Sequence, residues 1–314
     1  NRFSKYLGLK YAVGVSNGTD ALILSLKAVN IKKGDEVITT SHTAYATIAA
    51  IVEAGAKPVF VDIKEDDFNM NSAELKKKIT KKTKAIMLVH VLGNSANLKE
   101  LFKLAKKNKL IVVEDTCESL GSKYSNKYLG TFGDFSTFSF YTSHQISAGE
   151  GGMVCAKDKN DYEIIKSLRS HGWSRDLSNE KYIANKNKHL DKKFIFYNSG
   201  FNLRSTEISA TLARSQLIDL DKFIKTRNFN RQLIIKKIIK NKKISKKIKF
   251  LKENKNLYPS WFGIPIYLNN KINKKNFCKK FEFNGVETRP IISGNFLNQP
   301  SIKKYKLFTK EKFK

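Results

Sequence analysis

The sequence predicts an α/β fold in which a mainly parallel sheet is wrapped by helices and followed by a smaller α+β domain. Three observations carry this expectation. From Tyr11 to about Lys225, short apolar runs alternate with stretches that repeat apolar residues at helical spacing, the pattern of successive strand–helix units. The chain has 314 residues, enough for one large α/β domain with a smaller companion. Its 41% hydrophobic content suits a packed core rather than a disordered chain.

Taken in order, YAVGVS, DEVITTS, KPVFVDI, KAIMLVHV, LIVVEDT, FSTFSFY and GGMVCAK are predicted strands. Between them TDALILSLKAV, TIAAIVEAG, SAELKKKI and LKELFKLAKKN repeat apolar residues as helices do. Gly34-Asp35, Gly55 and Asn94 punctuate the connections. After Gln216 a long basic helical stretch leads to a second region, where PSWFGIPIYL and GVETRPII are predicted strands. The expected division is 1–225 for the large domain and 226–314 for the small one.

The formal net charge is +31, which would suit phosphate backbones through counterion release. The lysines, however, crowd into ELKKKITKKTKA, IIKKIIKNKKISKKIKF and KINKKNFCKKF, where solvated helix faces are expected. No basic patch is interleaved with aromatics, so a nucleic-acid partner is not expected. The longest apolar runs are too short to cross a bilayer, so no membrane partner is expected either. Cys117, Cys155 and Cys278 are odd in number and lack metal-ligand spacing, which argues against disulfides, zinc and iron–sulfur ligation. With no basic, apolar leader after Asn1, the expected compartment is a reducing cytoplasm.

Four clusters carry chemistry. In VSNGTDAL a strand ends in a small polar turn and enters a helix, where backbone N–H groups and the Thr19 hydroxyl can hold a phosphate; an ordinary capped turn reads the same way. IVVEDTCES ends a strand in Glu114-Asp115, with Glu118 three residues on. A carboxylate there lies on the edge where α/β sheets bind ligands and can keep a pyridine nitrogen protonated, although a helix-capping Asp would fit too. FSFYTSHQISAGEGGMV holds Ser139, then His144, then a glycine turn. Such a histidine is either a packed structural residue or an acid–base group. GFNLRSTEISATLARSQL opens an apolar helix with Asn202 and Arg204, which either cap and solvate or bind an anion.

In this order the clusters resemble the sugar aminotransferase family, DegT/DnrJ/EryC1/StrS, which acts on nucleotide-linked keto-sugars. The resemblance runs through FSKYLGLKYAVGVSNGTDALILSL, GDEVITTSHTAYATIAAIVEAGAKPVFVDI, TKAIMLVHVLGN, VEDTCESLGSKYSNKYLGTFGDFSTFSFY, GEGG, GFNLRSTEISATLARSQL and GVETRP. It implies the type I fold of pyridoxal-phosphate-dependent transferases, similar to aspartate aminotransferase. Most members carry at the place of His144 a lysine that bonds to the cofactor and shuttles its proton. A smaller branch, the keto-deoxysugar 3-dehydratases that use pyridoxamine phosphate, has a histidine. LGN, EDTCES, SLRSHGWSRDL, SWFG and ETRPIISGNF resemble that branch as well.

The resemblance implies a cofactor, pyridoxamine 5'-phosphate or pyridoxal 5'-phosphate, with its phosphate on Gly18, Thr19, Asp20 and Ser139, and with Asn202 supplied by the partner subunit of a homodimer. Asp115 would pair with the pyridine nitrogen, Glu118 would lie near the ring hydroxyl, Arg289 near the substrate, and His144 would be the acid–base group. The implied reaction is C3 dehydration of a nucleotide-linked 4-keto-6-deoxyhexose, with glutamate restoring the cofactor amine. A keto-sugar aminotransferase and a catalytically silent homologue are the alternatives. Two departures stand out. Ala44 follows Thr43 where the family places an aromatic over the cofactor ring, leaving His42 or Tyr45 for that contact. Against the family pattern the chain is also expected to be short at both ends, leaving the small domain incomplete.

Overall fold

The computed structural model describes residues 2–304. Nine strands come first in the chain: β1 Tyr11–Val15, β2 Glu36–Thr40, β3 Lys57–Val61, β4 Thr83–Val89, β5 Ile111–Asp115, β6 Lys123–Tyr124, β7 Lys127–Tyr128, β8 Phe135–Ser139 and β9 Gly152–Ala156. Seven of them form one sheet in the order β1-β9-β8-β5-β4-β2-β3. The pairs β2–β3, β2–β4, β4–β5 and β5–β8 are parallel, while β9 is antiparallel to both β8 and β1. Only β9 therefore runs against the rest, and every other strand ends on the same edge.

Side chains alternate between the faces of a strand, and neighbours here go to opposite cores. Val37, Met87 and Val113 join one apolar cluster with Leu22, Leu24, Ile51 and Ile165. Ile38, Ile86, Leu88 and Val112 join the other, with Leu75, Leu98, Leu101 and Ala105. Helix Gly18–Ala28 buries Leu22, Leu24 and Leu26 almost completely, because it lies between the sheet and other helices. Helix Leu98–Lys107 buries only Leu98, Leu101 and Ala105, and its lysines face solvent. Each fully buried leucine stabilises the fold by roughly 1.5–3 kcal/mol relative to exposure.

Helix Glu207–Lys240, capped by the Thr206 hydroxyl, is 34 residues long. The expected boundary at 225 falls inside it, so one rod joins the two regions. Beyond it, β10 Ile248–Phe250 pairs with β12 Ile266–Leu268, and β11 Leu257–Tyr258 adds to the β6–β7 hairpin.

Two predicted strands need correction. PSWFGIPIYL is extended into a ladder only at β12, and GVETRPII forms no strand among the described residues. A strand needs a partner, and β12 pairs with β10 alone. Helix Lys274–Phe283 instead ends at Gly285, with φ +76°, and the chain turns again at Ile292, with φ 48°. Two hydrogen bonds then fasten Ser293 and Phe296 to the loop after β2: Ser293 Oγ donates to the Thr43 carbonyl at 3.0 Å, and Phe296 N to the Ser41 carbonyl at 2.8 Å.

Among the described residues, no helix is long and apolar enough to cross a membrane, and no group of histidine, cysteine and acidic side chains could hold a metal ion.

Candidate active site

The edge where the parallel strands end is where this architecture binds ligands, and most of the singled-out residues collect there. At the end of β1, Asn17 caps helix Gly18–Ala28 by accepting from Asp20 N at 2.9 Å. Gly18 is needed for space. A Cβ on it would meet Ser139 Cβ at 2.8 Å and both Cys117 Sγ and Ser139 Oγ at 3.2 Å. The helix N-terminus and the end of β8 are thus pressed together, leaving free N–H groups beside a serine hydroxyl. That is an anion cradle. Thr19 stands half-buried in the first turn. The Asp20 carboxylate is taken up locally, accepting from the Ser16 hydroxyl and from Asn17 Nδ2.

At the end of β5, alternation gives two adjacent acids opposite fates. Glu114 turns into the protein, fully buried, and accepts from Gly130 N at 2.9 Å, Phe132 N at 2.8 Å and Gly133 N, with His90 Nε2 at 2.9 Å. Burial pushes its carboxyl up, but His90 and the backbone N–H donors outweigh this and hold it below the usual range. Glu114 is therefore a brace for the loop before β8. Asp115 instead points along the strand edge. Thr47 Oγ1 donates to its Oδ2 at 2.8 Å, and Thr43 and Thr47 share a further bond of 2.8 Å. Cys117 N lies 3.3 Å from Asp115 Oδ1. Burial, reinforced by the Asp115 charge, raises the Cys117 thiol well above its normal value, so it is an inert neighbour rather than a nucleophile.

His144 sits on the loop between β8 and β9. Its N–H donates to the Tyr141 carbonyl at 2.9 Å, and the loop is clamped to the long helix by a reciprocal pair, Ser147 N to Gln216 Oε1 at 2.8 Å and Gln216 Nε2 to the Ser147 carbonyl at 2.7 Å. The imidazole packs against Phe262 and Tyr141, with ring centres 5.6 and 6.1 Å away. Nδ1 is buried without a partner. Burial lowers the pKa of the ring, against the upward pull of the Asp115 charge and the Ser139 backbone; Arg289 lowers it further. A neutral imidazole beside an acid is a proton acceptor at neutral pH.

Glu118 completes the group. Its Oε2 accepts from Leu92 N at 2.8 Å. Burial pushes its carboxyl up to about 7; the Leu92 bond opposes this, Asp115 adds to it, and Arg289 again opposes. Arg289 itself is exposed, 3.9 Å from Glu287, but its charge reaches both Glu118 and His144. The sequence-predicted residues Gly18, Ser139, Asp115, Glu118 and His144 therefore gather at this edge, within reach of the Arg289 charge. Asn202 stands apart on an exposed segment that bridges to Ser170, its Oδ1 accepting from Arg204 Nε at 3.1 Å.

Of the two candidates for a stacking face, Tyr45 is exposed and stacked on Phe296, with centroids 5.5 Å apart, while the His42 ring tilts against Phe68 at 5.2 Å. Thr47 and Gln145 escaped sequence reasoning. Thr43 lies in the bend before helix Tyr45–Glu53 and Thr47 in its first turn, so no helix-face spacing singled out the pair, and neither did anything mark a glutamine beside the histidine.

These residues fit a pyridoxal-type cofactor on the chemistry of their groups: an N–H and serine cradle for phosphate, a buried carboxylate for a ring nitrogen, and a buried imidazole nitrogen with no partner. The profile of the DegT/DnrJ/EryC1/StrS aminotransferase family matches residues 1–314. GDP-4-keto-6-deoxy-D-mannose 3-dehydratase of Escherichia coli O55:H7 is 32% identical over 97% of this chain and 79% of its own. GDP-perosamine synthase of Escherichia coli O157:H7 is 35% identical over 93% and 74%. The solved structure of the E. coli 3-dehydratase with bound hydrated PLP superposes with a TM-score of 0.88 at 32% identity, covering 97% of this chain and 79% of that one.

Proposed function

The chain belongs to the DegT/DnrJ/EryC1/StrS aminotransferase family, and from that premise we propose that it is a pyridoxamine-phosphate-dependent 3-dehydratase acting on a nucleotide-linked 4-keto-6-deoxyhexose. One observation carries the choice within the family. The stretch from Phe138 to Val154 contains no lysine, and it carries instead the half-buried imidazole of His144. Imidazole cannot bond to the cofactor as a lysine amine does, but it can exchange a proton.

Gly18, Thr19 and Ser139 would hold the phosphate, while Asp20, whose N–H and carboxylate are taken up by Asn17 and Ser16, would shape the turn that presents them; Asp115 would face the pyridine nitrogen and Glu118 the ring hydroxyl. When bound, pyridoxamine phosphate supplies an amine for the sugar's C4 ketone and a ring that draws off electrons. His144 takes up a proton on its unpartnered nitrogen and returns one to the C3 oxygen as that group departs as water. The Asp115 carboxylate steadies the imidazolium formed in between. Arg289 meets the anionic substrate from the exposed side, and glutamate is the donor that restores the amine.

The working form is a homodimer, with Asn202 reaching the phosphate of the second copy. In support, Asn202 is exposed, as are apolar side chains close to it in sequence, Phe194 at 61%, Phe196 at 56% and Ile208 at 75%. The three cysteines are free thiols, which suits the cytoplasm as its compartment.

The test is the mass of GDP-4-keto-6-deoxymannose after incubation with the protein, pyridoxamine phosphate and glutamate. Loss of one oxygen supports dehydration. Replacement of the ketone by an amine would make the chain a sugar aminotransferase, the reading favoured by its likeness to GDP-perosamine synthase. A His144→Asn variant should bind cofactor and lose the elimination.

A further inference from the structure

Four segments are bonded together next to His144, and one side chain joins three of them. Gln145 is buried, 3% exposed. Its Nε2 donates to the Glu118 carbonyl and, at 3.3 Å, to the Ser260 carbonyl. Both acceptors are backbone oxygens, so the orientation of the amide is fixed: only its nitrogen can face them.

The two acceptors are joined again on the far side. The Glu118 carboxylate accepts from Leu92 N at 2.8 Å, and the Leu92 carbonyl accepts from Phe262 N at 3.1 Å. Ser260 N donates to Ser122 Oγ at 2.8 Å, which in turn donates to the Gly93 carbonyl at 2.8 Å. The contact between Gly93 and Ser260 tolerates no side chain, since a Cβ on Gly93 would lie 2.2 Å from Ser260 O. A closed ring of bonds thus runs through Gln145, Glu118, Leu92 and the 260–262 segment. Phe262, which belongs to that segment, lies against the His144 imidazole.

We propose that Gln145 is a positioning residue for His144: by bridging the Glu118 and Ser260 carbonyls it fixes where the imidazole stands relative to Asp115 and ties that placement to the 260–262 segment. The reason is geometric. Nδ1 of the imidazole has no partner, so beside the pull of the Ser139 backbone on the ring its orientation depends on the backbone it hangs from and the ring it packs against. Gln145 anchors that backbone on one side and the segment carrying that ring on the other. A nearby bond rigidly held on both sides places a proton carrier more closely than packing alone.

The inference rests on His144 being the acid–base group, and its test is read first without cofactor or substrate. Gln145→Met and Gln145→Leu come close to the side chain's volume, remove the donor and add no charge beside the imidazole. In protein carrying isotope-labelled histidine, the His144 ring signal is identified by its loss in His144→Asn, while His90, held by Glu114, reports on the fold. The groups whose charge the His144 ring feels are Asp115 and Arg289, and both are untouched.

The expected result is a moved His144 signal and an altered His144 titration, an unchanged His90 signal, cofactor affinity within twofold, and a turnover number at least tenfold lower. A folded variant with the parental His144 signal and titration would overturn the proposal. So would failure of both variants to fold, since the amide would then support the protein generally and not the histidine. If the parent proves inactive as a dehydratase, the ring signal still decides whether Gln145 places His144.

Discussion

Thr47 donates its hydroxyl to Asp115 Oδ2 at 2.8 Å, both residues buried, across 68 positions of sequence. A carboxylate kept charged in a dry site needs such donors, because an unpaired buried charge is far more costly than an unpaired neutral group. The helix after β2 thereby reaches the end of β5 and orients its acid.

Thr47→Val keeps the shape of this side chain and deletes the donor. It leaves both the Asp115 oxygen and the Thr43 hydroxyl short of a partner, a loss of about 1–3 kcal/mol. Denaturant unfolding should show that loss. Cofactor titration followed by absorbance should show weaker binding, because Asp115 is no longer held toward the ring nitrogen. Parental affinity in a destabilised variant would separate the bond's structural role from its role in the site.

Gly18 makes a second prediction, about space. Its φ is not in the left-handed region, so alanine would meet no backbone strain; the obstacle is Ser139 Cβ at 2.8 Å from the new methyl. Ser139 and the helix start must part by several tenths of an ångström. Such overpacking typically costs about 1–3 kcal/mol. Gly18→Ala should therefore melt earlier and lose at least tenfold in affinity for pyridoxamine phosphate. Pyridoxamine without the phosphate should lose much less. Equal losses for the two would mean that the cradle does not hold the phosphate.

Much of this was legible in the sequence because it follows from local rules. The apolar runs at Val37-Ile38, Met87-Leu88 and Val112-Val113 announced strands, and their positions on one edge followed from parallel pairing. Asp115 and Ser139 could be named because each closes such a run, and His144 because it stands between a strand end and a glycine turn. The features that stayed hidden depend on contacts distant in sequence. The residues of GVETRPII have a strand's composition, yet no strand among the described residues pairs with them, and composition carries no information about a partner. Leu92 and Gly93 both take left-handed backbone, φ 57° and +88°, to present the N–H that Glu118 accepts; a leucine gives no hint of that. Gln145 is a polar residue whose two acceptors are carbonyls 27 and 115 positions away, and no spacing rule would pick it out.

The pH dependence of Glu118 is the sharpest consequence of its burial. Its carboxyl is pushed from 4.5 up to about 7 in the folded chain, so between those values the folded state holds a proton that the unfolded state has released. Stability contributed by this group is fully present below pH 4.5 and is lost as pH rises through 7. The span corresponds to about 3 kcal/mol at most. Glu118→Gln removes the titration while keeping an oxygen for the Leu92 N–H. Urea unfolding of parent and variant at pH 5 and pH 8 should therefore show the variant gaining relative to the parent at the higher pH, with the sign fixed by the direction of the shift. A difference that does not change with pH would mean that Glu118 is ionised in the folded protein throughout this range, paired more closely with Arg289 than its burial indicates. The carboxyl could then not share the proton traffic of His144.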